Sequence, residues 1–137
     1  MKLTTLIFAV LLSNIPTLAT AGDDPGLYFI TPQDGNVVSS EFTIQFGLRG
    51  MGVAPAGVEK DKTGHHHLLI DVDVLPPMDA PLPNTEQIRH FGGGQTETTL
   101  NLPPGKHTLQ LVLGNYAHIP HEAPVISKKI TITVSSP

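Results

Sequence analysis

The stretch Gly64-His65-His66-His67-Leu68-Leu69-Ile70-Asp71 places three adjacent histidines at the start of an apolar, strand-like run that ends in a carboxylate. Read as a strand over 66–74, its side chains alternate between two faces. His66, Leu68, Ile70 and Val72 share the more apolar face, which is expected to meet a core. His65, His67, Leu69, Asp71 and Asp73 share the other. The run is internal and flanked by strand formers, so it reads as native sequence rather than an affinity tag.

Working outward, the chain is rich in short β-forming runs punctuated by 13 glycines and 13 prolines, the pattern of an all-β domain. Leu27–Thr31 is a first strand and Pro32-Gln33-Asp34-Gly35 a turn. Glu41–Leu48 alternates with Phe42, Ile44, Phe46 and Leu48 on one face, and 50–62 reads as a loop. Four prolines within 76–83 forbid regular structure there, and Asn84–His90 is expected to form a short helical turn. Strands over 96–102 and 107–113 flank Pro103-Pro104-Gly105-Lys106 and are expected to pair across that turn. Leu109, Leu111 and Leu113 form the inner face of the second, and His107 shares their parity. After a loop over 114–124, a last strand over 126–134 puts Ile130, Ile132 and Val134 in register. Six or seven short strands without a long helix predict an immunoglobulin-like β-sandwich.

Residues 1–21 read as a secretory signal peptide: Lys2, the apolar run Leu6–Leu12 and the A-x-A site Ala19-Thr20-Ala21. The run is too short to span a bilayer. Cleavage after Ala21 would leave residues 22–137 as one β-sandwich domain, periplasmic or secreted. The chain carries a formal charge of −4, and its only adjacent basic pair is Lys128-Lys129, so the electrostatic footprint of nucleic-acid binding is missing. The absence of cysteine excludes disulfides, thiolate metal sites and cysteine nucleophiles.

All 7 histidines fall between residues 65 and 121, and imidazole is the commonest transition-metal ligand. His65 and His67 lie on one strand face, about 6–7 Å apart along the strand, close enough to chelate one ion if the strand bends. His118 and His121 form an H-x-x-H pair in a loop stiffened by Pro120 and Pro124. If either converges with His65 and His67 at one end of the sandwich, three imidazoles can hold one ion. His90 precedes Gly92-Gly93-Gly94, where backbone can approach a ligand closely. His107 reads as a core-rim residue and His66 as structural, with a ring that could orient a neighbouring ligand. Asp71 could supply an oxygen ligand or polarise a histidine. Met51 and Met78 are too few for a thioether site of the kind that selects Cu(I), so histidine with carboxylate or water suits Cu(II) or Zn(II) better, copper slightly ahead.

Catalytic signatures are missing: neither G-x-S-x-G nor H-E-x-x-H occurs, and no phosphate loop or dinucleotide fingerprint does. The expected function is sequestration, delivery or sensing of a metal ion. Two alternatives stand beside it: an envelope interaction module with structural histidines, its proline loops binding a protein or polymer, and a metal-assisted hydrolase.

The stretches GHHHLLID (64–71), HFGGGQTE (90–97), PGKHTLQLVLG (104–114) and HIPHEAPVIS (118–127) closely resemble a bacterial exported family, domain of unknown function 4399. The resemblance implies a periplasmic or secreted β-domain. It supplies no reaction and no ligand.

Overall fold

The computed structural model describes residues 24–136; the signal-peptide reading lies outside them. Nine strands and no helix occur among the described residues: β1 (Gly26–Thr31), β2 (Val37–Val38), β3 (Glu41–Arg49), β4 (Gly52–Val53), β5 (Thr63–Ile70), β6 (Ile88–His90), β7 (Glu97–Asn101), β8 (Gly105–Gly114) and β9 (Ile130–Val134). They form a three-stranded sheet, β1-β3-β7, and a larger sheet, β2-β9-β8-β5-β4, with β6 also pairing β5. The orders β1-β3-β7 and β9-β8-β5 reproduce the A-B-E and G-F-C strands of an immunoglobulin sandwich.

Alternation builds the core between the sheets. The small sheet contributes Leu27, Phe29, Phe42, Ile44, Phe46 and Leu100, and the large sheet Leu68, Ile70, Leu109, Leu111, Leu113 and Ile132. The parity read from the sequence thus holds for β3, β5, β8 and β9. The structure differs in three connections. β5 begins at Thr63 and ends at Ile70, not Val74, because Asp71 adopts φ 54° and turns the chain out of the sheet. The segment expected to be a helical turn instead ends in β6, which pairs antiparallel with β5 over His67–Leu69.

Third, β7 and β8 are not a hairpin. β7 pairs β3, and β8 pairs β5 and β9 in the other sheet. Pro103 and Pro104 have no N–H to give a ladder, and the chain crosses between sheets there. The last strand is also shorter than expected: Ile126 makes an isolated bridge to Val112, and β9 starts at Ile130. Between them Ser127 caps the gap, its Oγ accepting the Leu111 N–H at 2.8 Å.

A second apolar cluster lies on the outer face of the large sheet. Leu69 and Val112 are covered by Leu82 and Ile88, with Val72, Met78 and Ile126 packed alongside. The proline-rich segment is therefore a cover. It buries the less apolar face of β5 as well, so that Gly64 to Ile70 are buried without interruption. His65 and His67 lie on that covered face.

Candidate metal centre

β5 and β8 run antiparallel with His65 opposite Gly114, His66 opposite Leu113 and His67 opposite Val112. His65 and His67 project to the same side, and their ring centroids close to 4.6 Å. That is shorter than two strand residues of rise, so the rings lean together. His118 meets them from the loop after β8. Its Nδ1 lies 3.0 Å from His65 Nε2 and 3.3 Å from His67 Nε2. One nitrogen from each of the three rings falls within 4.8 Å of the others. Nitrogens bound at about 2.0–2.1 Å around a tetrahedral ion stand roughly 3.3 Å apart, so the two measured edges are near coordination spacing.

Local structure explains why His118 arrives there. Asn115 folds the loop on itself: its Oδ1 accepts the N–H groups of Ala117 and Ile119, at 2.8 and 3.1 Å. His118 takes φ 63°, a left-handed conformation uncommon outside glycine. Its carbonyl accepts the Leu82 N–H at 2.9 Å, which ties the loop to the proline-rich cover. Gly114 leaves the space for His67, because a Cβ at that position would overlap the His67 ring at Cε1.

His90, brought by β6 opposite His67, joins the same group. Its ring centroid lies 4.3 Å from that of His67 and 4.8 Å from that of His118. His90 Nε2 donates to the Pro83 carbonyl at 3.0 Å. That tautomer leaves the lone pair on Nδ1, available as a further donor.

The electrostatics disfavour protonation of His65, His67 and His90. Burial holds His65 down to about 4, helped by repulsion from His118, His90 and His66. Burial, then His90, His65 and His118, holds His67 down to about 3, against a weak pull from the His65 carbonyl. His90 is also lowered, chiefly by burial. Neutral imidazoles keep their lone pairs, which is the state a metal requires. Nδ1 of His65 is buried without a hydrogen-bond partner, and Nδ1 of His67 is buried with no well-formed hydrogen bond beyond the weak pull of the His65 carbonyl.

The other sequence candidates lie elsewhere. His121 does not join the cluster. Its Nε2 approaches the face of β5 that Gly64 shares with His66 and Leu68, so the strand separates it from His65 and His67. It stands instead at a shallow hollow with Glu59, Asp61 and Asn115. His66 is in the main core, 5.2 Å from the Phe46 ring, with both ring nitrogens unpartnered; burial lowers it to about 4. It therefore orients no ligand. Asp71 does polarise a histidine, but that histidine is His107: Nδ1 donates to Asp71 Oδ2 at 2.7 Å and Nε2 to the Pro103 carbonyl at 2.8 Å. Asp73 is exposed. Asn115 and Gly114 escaped sequence reasoning, since a loop asparagine and a strand-end glycine carry no ligand signal of their own.

The fold and this site define a β-sandwich with a buried histidine cluster able to hold a metal ion. The chain belongs to the family described as Domain of unknown function (DUF4399), which matches residues 44–135. Among solved structures, an endo-beta-1,4-mannanase from Thermotoga petrophila is similar at 16% identity and a TM-score of 0.48; the match covers 83% of this chain and 20% of that one. The chain thus spans about a fifth of that protein's length. No curated protein matches.

Proposed function

We propose that the protein is an exported, periplasmic or secreted, metal-binding β-sandwich. It takes a transition metal, copper ahead of zinc, for sequestration, delivery or sensing. The observation that carries this reading is the convergence of His65, His67 and His118 nitrogens from two separate elements. Among divalent ions copper stands ahead of zinc because a cysteine-free imidazole set follows the general affinity order. Binding is favoured over turnover because the histidines around the site feel one another and no carboxylate base.

The test is elemental analysis of untagged protein recovered from its native compartment, with intact mass measured on the same sample. About one equivalent of transition metal is expected, in a chain that starts at Gly22. His65→Ala with His67→Ala should recover without metal, and so should His118→Ala, whose partly exposed site tolerates truncation better. Metal-free wild type, or equal metal in wild type and variants, would overturn the reading.

A further inference from the structure

We propose that the ion this centre selects is monovalent copper, Cu(I), and that it discriminates against divalent ions by charge. The inference rests on the metal-binding reading above and refines it. Three features of the pocket lead to it.

The first is the donor set. His65, His67, His118 and the adjoining His90 are all neutral donors, so an ion bound among them keeps its whole charge. The one acid–histidine pair among the described residues, His107 with Asp71, belongs to the other end of β5. The second is the shell behind the donors. A metal-bound histidine normally passes its other N–H to a carboxylate or carbonyl, which spreads the positive charge. Nδ1 of His65 has no such acceptor, and behind His67 there is no carboxylate, only the weak pull of the His65 carbonyl. The third is burial. Both rings have 0% exposure, on the sheet face that Leu82 and Ile88 cover.

The cost of placing charge in such surroundings grows as the square of that charge. A dication left uncompensated therefore costs about four times as much as a monocation of similar size. Zn(II) in a three-histidine site meets this cost by keeping a water that ionises, and Cu(II) prefers tetragonal coordination. Cu(I), with a filled d shell, has no such preference and accepts three imidazoles in a plane or pyramid. The absence of cysteine leaves charge and geometry, rather than thiolate softness, as the means of selection.

The experiment compares affinities of the metal-free protein by competition under anaerobic conditions. Cu(I), maintained with ascorbate, competes against bicinchoninate; Zn(II) and Cu(II) compete against chromophoric chelators of their own. Cu(I) is expected to bind more tightly than either dication by about tenfold or more. His90→Asp, at a half-buried position, places an anion beside the rings and should shift the Cu(I)-to-Zn(II) ratio toward zinc by a similar factor. Wild type that holds Zn(II) or Cu(II) as tightly as Cu(I) would overturn the proposal while leaving the metal-binding reading intact. So would a folded His90→Asp protein with an unchanged ratio. If that variant does not fold, the wild-type ratio decides alone. Failure of all three ions to bind would remove both.

Discussion

The two ends of β5 carry histidines that behave in opposite ways. At its start, His65 and His67 face His118 and His90, and burial with mutual repulsion drives their pKa values far down. Just beyond its other end, Asp71 meets His107 on the neighbouring strand. There burial again opposes protonation, but the hydrogen bond to Asp71, the Pro103 carbonyl and the Asp71 charge outweigh it and raise the pKa. Both His107 nitrogens face oxygen acceptors, which only a doubly protonated ring can satisfy. One residue type thus yields rings that resist protonation and a ring that favours it within a single strand pair. The partner set decides which. A histidine among histidines keeps its lone pairs; a histidine between oxygens gives them up.

The sharpest way to break this contrast is to remove a ring from each end. His118→Ala should weaken metal binding by more than the roughly 10–100-fold that loss of a supporting partner costs. His107→Ala should leave metal affinity unchanged. Isothermal titration of both variants checks this, and equal losses would mean that the two ends are not independent.

Acid titration comes next in size. The unfolded chain protonates histidine near pH 6.5, whereas folded His65 and His67 resist until about 4 and about 3. The unfolded state therefore binds more protons in that window, and metal-free protein should lose stability as pH falls through it. The combined loss is on the order of a few kcal/mol. His107 has the opposite sign: its contribution is complete below its unfolded value and fades as pH rises through its raised folded value. Denaturant midpoints at about pH 7.5 and about pH 4.5 measure the net effect. The His65→Ala, His67→Ala protein should show a flatter profile, and an unchanged slope would contradict the assignment.

Gly114→Ala tests how the cluster is shaped. The added methyl meets the His67 ring and comes within 3.3 Å of the His118 Cα. Metal affinity should fall by about 10–100-fold, as for other changes that misplace a ligand, while far-ultraviolet circular dichroism stays that of a β-protein. Wild-type affinity in this variant would show that the ring positions are not set there.

The smallest effect belongs to the Asp71–His107 pair. Asp71 is 42% exposed in its side chain, so Asp71→Asn should cost less than about 1 kcal/mol near neutral pH. Nuclear magnetic resonance titration should find the His107 pKa lowered, with the shifts of His65 and His67 unmoved.

Much of this was legible in the chain. The alternation in 41–48, 64–70 and 107–113 determined which side chains meet in the core, because strand geometry sends neighbours to opposite faces whatever the fold. The same rule put His65 and His67 side by side and His66 apart from them. Prolines at 103 and 104 were visible too, but whether they close a hairpin or cross between sheets depends on which strands lie nearby, which local sequence does not encode.

What the sequence could not decide was which of the remaining histidines would close the cluster. His118 and His121 are three residues apart in one loop, with equal claim by composition. The Asn115 turn and the left-handed His118 backbone bring one to the outer face of β5, and the chain's return past Gly64 carries the other to the opposite face. Nor does alternation reveal that the His65 face is buried, because its cover comes from Leu82 and Ile88 on a separate segment. Residue identity and strand period are local and were fixed by the order of amino acids; desolvation and convergence depend on distant segments meeting in space, and only the tertiary structure decided them.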